Sequence, residues 1–249
     1  MPVSPENPAP ADFSDRLHWY RRGVRGAFSI PGLILASAFV GFAGLAQEAG
    51  LTLAQTVFMV LTIWALPAQV VLIGAILSGA SLPAAAFAVA LSSIRLTPMV
   101  VSLLPEMRTP STPRWVLYAL SHFIAVTSWV LGMERLRGVP LACRTSYYLG
   151  LGSTLVLVNA MVVAAVFSVA DNLPPWVSAA LFMLTPMYFL TSLWGSARER
   201  AGHVAMVIGL VLGPLFHFTI PQFDLLAAGM IGGGGAYLFH RFQQRRTPA

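Results

Sequence analysis

Apolar runs long enough to cross a lipid bilayer follow one another along almost the whole chain of 249 residues. A helix needs about 20 apolar residues to cross the bilayer core, and none of these runs alternates like a β-strand. Only 10% of the residues are charged, against about 25% in a soluble domain. The pattern predicts an all-α, polytopic integral membrane bundle of about eight spans. The predicted spans are Phe28–Gln47, Thr52–Ser78, Leu82–Leu104, Trp115–Met133, Tyr147–Ala170, Trp176–Trp194, His203–Ile220 and Phe223–His240.

The arginines predict the orientation of these spans, because cytoplasmic loops of membrane proteins are rich in Lys and Arg. With eight crossings and the N-terminus inside, twelve of the fifteen basic residues are cytoplasmic, Arg144 among them. Arg108, Arg114 and the acidic Glu106 are then on the outer side. Both termini are therefore predicted to be cytoplasmic. One alternative stays open, in which a segment between residues 52 and 104 enters and returns, and a second re-entry elsewhere compensates for it.

The two ends of the chain are more polar than the rest. Residues 1–26 are predicted to form a cytoplasmic N-terminal tail, residues 27–240 a transmembrane domain, and residues 241–249 a cytoplasmic C-terminal tail. Because the arginines are scattered between apolar runs, nucleic-acid binding is not predicted. The single cysteine, Cys143, excludes a disulfide framework and a cysteine-based zinc site. No metal and no cofactor is predicted.

Four of the spans contain an interior proline, namely Pro67, Pro98, Pro186 and Pro214 in spans 2, 3, 6 and 7. A proline inside a helix removes a backbone hydrogen bond, and the freed carbonyl then needs another donor. Paired proline-interrupted segments in two halves of a chain point to the binding site of a transporter. Pro67, Pro98 and Pro186 are therefore candidate substrate-site residues. The alternative for each proline is a kink without a functional role.

Arg95 is a charged residue in the middle of the third predicted span. A charge at that depth is costly and usually faces a cavity or a partner. The sequence places no acidic residue at a similar depth in another span. An anionic ligand group such as a carboxylate, held by two hydrogen bonds, would supply the counter-charge. The alternative is that span 3 is shifted and Arg95 reaches an interface.

Other polar residues inside the spans are further candidates. Gln69 follows Pro67 closely and could bind a carboxylate or an ammonium group, although a hydrogen bond between helices is equally favoured. Ser93 lies beside Arg95 and is included in the substrate site. His122 and His217 could carry protons, but a neutral histidine bonded to a neighbouring helix is the favoured reading of each.

Several short motifs occur in a characteristic order along the chain. They are Arg22-Gly23-Val24-Arg25-Gly26-Ala27-Phe28, Pro67-Ala68-Gln69, Ser93-Ile94-Arg95, Tyr147-Tyr148-Leu149-Gly150-Leu151-Gly152, and the stretch from Asp171 to Pro186. Their order resembles that of the AzlC family, the large subunits of branched-chain amino acid exporters, over nearly the whole chain after residue 22. One element departs from it: the family often has Thr-Asp-Glu in its fourth span, where this chain reads Thr127-Ser128-Trp129.

The resemblance implies a secondary transporter in a bacterial inner membrane, exporting branched-chain or related small amino acids or other zwitterionic metabolites. It also implies a small AzlD-type membrane subunit as a partner. The missing acidic pair means that any proton coupling must use other residues. A non-transporting membrane scaffold subunit is the alternative. An intramembrane enzyme is less favoured, because the chain lacks His-Glu-x-x-His and Gly-x-Ser-x-Gly motifs.

Overall fold

The computed structural model describes residues 12–170, 200–219 and 224–246, together with seven isolated positions between 171 and 199. All regular structure in these residues is helical, which confirms the predicted helical class. The chain divides into two compact units, Met1–Thr185 and Pro186–Ala249.

Residues 12–170 of the first unit contain nine α-helices. Helix α9 is central, because α1, α2 and α3 all pack against it. The helices are α1 (Phe13–Ala27), α2 (Ile30–Glu48), α3 (Leu53–Thr62), α4 (Leu66–Leu77), α5 (Leu82–Ser93), α6 (Thr97–Met107), α7 (Arg114–Ser121), α8 (Val126–Arg135) and α9 (Arg144–Ala170). Single 3-10 turns occupy Ile94–Leu96, Leu136–Gly138 and Leu141–Cys143.

Three helical stretches among the described residues are long and apolar enough to cross a membrane. They are Ile30–Glu48, Leu82–Met107 and Leu141–Val169, which overlap predicted spans 1, 3 and 5. Predicted spans 2 and 4 are different, because each is divided into two short helices, α3 with α4 and α7 with α8.

The prolines do not all act as predicted. Pro67 lies in the first turn of α4, after a break over residues 63–65, and Pro98 lies in the first turn of α6. A proline is well placed there, because the first N–H groups of a helix have no intrahelical acceptor. The predicted break at Pro214 is wrong, since the helix Arg200–Thr219 continues through it. Pro186 lies outside the described residues.

Most of the predicted N-terminal tail is helix α1, which packs closely on the start of α9. Gly23 lies against the backbone carbonyl of Tyr147, and Gly150 lies against the backbone carbonyl of Tyr20. Arg135, at the end of α8, donates a 2.8 Å hydrogen bond to the carbonyl of Gly26. The end of α1, the end of α8 and the start of α9 are therefore neighbours.

An ion pair contradicts the predicted placement of two residues on opposite sides of the membrane. Arg144 Nη1 lies 3.3 Å from Glu106 Oε2 and donates a 2.8 Å hydrogen bond to the Glu106 backbone carbonyl. Two residues in contact cannot lie on opposite sides of a hydrocarbon core about 30 Å thick. The assignment of Glu106 and Arg144 to opposite membrane faces is therefore wrong, and the ends of α6 and the start of α9 share one face.

The described part of the second unit contains two helices that pack on each other, α10 (Arg200–Thr219) and α11 (Asp224–Arg246). Gly232 of α11 faces Gly209 and Ala205 of α10, where the absence of a side chain lets the two backbones approach.

Candidate functional site

The first helix break separates α3 from α4 and is held by Gln69. The amide nitrogen of Gln69 donates to the carbonyls of Met59 (3.3 Å) and Ile63 (2.6 Å), so it satisfies acceptors at the end of α3. The Gln69 side chain has no exposed surface, and its Oε1 atom has no hydrogen-bond partner among the described residues. Because a carbonyl oxygen only accepts hydrogen bonds, the nitrogen must face both of them, and Gln69 supports the break instead of offering its nitrogen to a ligand.

The second break, between α7 and α8, contains no proline. The Ser128 hydroxyl donates to the carbonyl of Phe123 (2.6 Å) and accepts from the backbone N–H of Ala125 (2.9 Å). Tyr148 of α9 donates a further 3.3 Å hydrogen bond to the same Phe123 carbonyl. Side chains of Ser128 and Tyr148 are fully buried. They satisfy backbone groups that a continuous helix would have paired internally.

The residues that replace the family's acidic pair thus have structural contacts in this chain. Ser128 caps the start of α8, and the indole nitrogen of Trp129 donates to the Ser102 hydroxyl of α6 at 2.9 Å. The sequence did not predict the structural roles of Ser128 and Tyr148 or this second break. Several polar residues lie between Ser121 and Ser128 inside an otherwise apolar span. Because such side chains often cap helix ends, this cluster could have predicted the break.

The two breaks contact each other through His122. Its Nε2 atom lies 2.9 Å from the carbonyl oxygen of Leu61, in the last turn of α3. A carbonyl oxygen only accepts hydrogen bonds, so Nε2 carries the hydrogen and the neutral ring is the Nε2–H tautomer. Sixty-one residues separate His122 from Leu61 in the chain, and the bond therefore joins two independent segments.

A cavity of about 320 Å³ lies where the breaks meet, within the range of small-molecule sites. Trp64 forms part of its wall and stacks on Phe39 of α2 with ring centroids 5.7 Å apart. None of the described lining residues is Asp, Glu, Lys or Arg. The lining residues are Thr62, Ile63, Trp64, Ala65, Val89, Ser93, Leu96, Val100, Ser121, His122 and Ile124.

The structure brings some of the predicted site residues together and separates others. Ser93 and His122 line the cavity, whereas Pro67, Gln69 and Pro98 do not. Pro67 and Gln69 belong to the adjoining first turns of α4.

Arg95 lies in the 3-10 turn between α5 and α6 with an exposed side chain, and it is not part of the cavity lining although Ser93 and Leu96 are. His217 lies in α10, but its side chain is outside the described residues, as is Pro186. Substrate binding by Arg95 stays a prediction, and the cavity wall next to it is the new candidate surface.

Comparison with known proteins identifies a family. The family model described as AzlC protein matches residues 32–173, more than half of the chain. This stretch runs from α2 through α9, so it includes both helix breaks and the whole cavity lining. No curated protein and no solved structure matches the chain. With its helical fold and apolar helices of membrane-spanning length, the chain belongs to the AzlC family, which is associated with membrane transport and not with enzymatic activity.

Proposed function

We propose that this chain is the large subunit of a secondary exporter, and that the cavity between the two helix breaks holds the substrate. The supporting observation is that two discontinuous helices meet at one cavity in the first unit. Transporter sites are commonly built this way, because the ends of interrupted helices point their partial charges at the substrate.

The chemistry of the cavity suits a zwitterion with an apolar side chain. The starts of α4 and α8 carry partial positive charge, and the ends of α3 and α7 carry partial negative charge. Trp64 Nε1 is buried and has no partner among the described residues, so a further donor lies beside the start of α4. Val89, Leu96 and Val100 supply an apolar wall. A carboxylate, an ammonium group and an aliphatic chain can each find a matching surface.

The finer assignments follow from the family. The proposed substrates are branched-chain or related small amino acids, the proposed partner is a small AzlD-type membrane subunit, and the proposed location is a bacterial inner membrane with both termini cytoplasmic. Of the two histidines predicted to carry protons, His122 lines the cavity, and proton transfer by it stays a prediction from the sequence.

Filling the cavity tests its assignment as the substrate site. Val100→Trp is expected to reduce export of labelled branched-chain amino acids to background, because the larger ring occupies the space of the substrate. The measurement is efflux from cells or vesicles that carry the chain with its small partner subunit.

Val101→Trp is the matched control. Val101 is the next residue of α6, is 66% exposed and does not line the cavity, so this variant should export like the parent chain. Equal export by both variants at equal amounts of membrane-inserted protein would move the substrate site away from this cavity.

A further inference from the structure

The two divided segments do not have to cross the membrane. We propose that α3–α4 and α7–α8 are re-entrant hairpins that enter from opposite faces, and that His122 is the positioning residue that joins their tips. The role of His122 rests on the proposed transport function. The topology does not, and it is tested by a different measurement.

Both ends of the α7–α8 hairpin lie at the same depth in the membrane. Six residues, 108–113, connect the end of α6 to the start of α7, and Glu106 at the end of α6 contacts Arg144 at the start of α9. Arg135 at the end of α8 bonds Gly26 at the end of α1. α8 also runs parallel to α6, since Trp129 contacts Ser102 and the later Gly132 contacts Leu103.

The tip of this hairpin lies deeper in the membrane than its two ends. His122 and Ile124 share the cavity with Leu96 and Val100, near the beginning of α6, whereas Met107 ends it. At 1.5 Å per residue, α7 and α8 are about 12 and 15 Å long. Each is about half the thickness of a bilayer core of about 30 Å, so the segment reaches mid-depth and returns.

The α3–α4 hairpin starts and ends at the other face. Leu82–Met107 is long enough to cross, so Leu82 is opposite Met107. Only residues 78–81 separate α4 from α5, and these helices pack on each other. α4 begins at the cavity, beside Val89 and Ser93, and each helix is about 18 Å long. The end of α4 therefore lies at the face of Leu82.

α3 begins at that same face. α2 starts three residues after α1 and is long enough to cross, so Glu48 is at the face opposite α1. Residues 49–52 then lead into α3. Trp64, at the tip of this hairpin, stacks on Phe39 in the middle of α2, which places the tip at mid-depth. The two tips meet there through the bond from His122 to Leu61.

This topology improves the distribution of charge. Two re-entrant segments leave six crossings when the three apolar segments after α9 cross as the sequence predicts. Arg108 and Arg114 then join the other loop and tail arginines on the cytoplasmic face. The outer face keeps Glu48, Asp171 and Asp224 and no basic residue of the chain. Arg95 alone stays inside the membrane, and the positive-inside rule is satisfied without exception.

Two cysteine positions distinguish this topology from eight crossings. In a Cys143→Ala background, Ala80→Cys in the α4–α5 loop and Ser111→Cys in the α6–α7 loop are both at exposed positions. Labelling of intact cells with a membrane-impermeant maleimide is expected to modify position 80 and to spare position 111 until the membrane is opened.

The eight-span arrangement gives the reverse result at both positions and would overturn the hairpins. Ala49→Cys is the outside control and Gly138→Cys the cytoplasmic control, because both arrangements place them on the same faces. This result is independent of transport, so loss of export does not affect it.

The positioning role of His122 is tested by two amides of different reach. His122→Gln places its nitrogen near the position of Nε2, whereas His122→Asn reaches only the position of Nδ1. Loss of one hydrogen bond such as that from His122 to Leu61 changes an equilibrium by about two- to tenfold. Export by the Asn variant is therefore expected to fall by a similar factor, while the Gln variant keeps most of it.

Accessibility of the cavity provides the second readout. With Ser93→Cys in the Cys143→Ala background, His122→Asn should increase maleimide labelling of position 93 several-fold, and His122→Gln should not. Equal export and equal labelling in the two variants would overturn the positioning role, whether both are active or both inactive. Proton transfer by His122 would instead inactivate both without the difference in labelling.

Discussion

Gln69→Glu is expected to destabilise the folded chain by about 3–5 kcal/mol, the usual cost of a buried charge without a partner. Gln69 has no exposed surface and donates from its nitrogen to the carbonyls of Met59 and Ile63. An ionised carboxylate has only acceptor oxygens, so it would replace two attractive contacts by repulsive ones. Thermal unfolding of the purified protein in detergent measures the loss as a lowered Tm.

Gln55→Glu is the matched control, because this glutamine has the opposite hydrogen-bond role. Its Oε1 atom accepts from the backbone N–H of Thr52 at 2.9 Å, in a capping box at the start of α3. A carboxylate keeps that bond, and its charge is favourable by about 0.3–1 kcal/mol at a helix N-terminus. The control should unfold at the parent Tm or above it. Equal stability of the two variants would contradict the role given to Gln69.

Gly150→Ala is expected to destabilise the chain by about 3 kcal/mol, at the upper end of the cost of overpacking. A Cβ atom at position 150 would clash with the backbone carbonyl of Tyr20, and it would also lie 3.2 Å from the backbone nitrogen of Val24. Backbone atoms cannot rotate away as a flexible side chain can, so α1 would have to separate from α9. Thermal unfolding in detergent measures the loss.

Gly74→Ala separates this packing effect from the general effect of glycine in a helix. A Cβ atom at Gly74, in α4, would meet no atom within 4 Å. Alanine favours a helix over glycine by about 0.5–1 kcal/mol, so this variant should be as stable as the parent chain or more stable. A Gly150→Ala protein with a raised Tm would show that α1 is not held closely against α9.

Much of the fold followed from residues that are close in sequence. The apolar runs predicted helices, and α2, α9 and the stretch from α5 through α6 fill three of the predicted spans. Pro67 and Gln69 predicted an interrupted helix in the segment in which α3 ends and α4 begins. The motifs around Arg22, Pro67 and Tyr147 indicated the AzlC family, which the family match confirmed.

The candidate site was predicted less completely. Ser93 and His122 were predicted as site residues from the sequence, and both line the cavity. Arg95, the most prominent predicted site residue, is exposed beside the cavity. An arginine in the middle of an apolar run is conspicuous in sequence. Whether its side chain points into a cavity depends on the 3-10 turn that contains it, and the apolar run itself gives no sign of that turn.

By itself, the sequence determined the membrane class, the helical content and the family, because apolar runs with so few charges are stable only in lipid. Only the tertiary structure decided where the fourth span breaks and which loops share a face. Those features depend on hydrogen bonds between residues far apart in the chain, from Tyr148 to Phe123, from His122 to Leu61 and from Arg144 to Glu106. A sequence pattern is local, so it shows that a polar group in a span needs a hydrogen-bond partner but does not identify that partner.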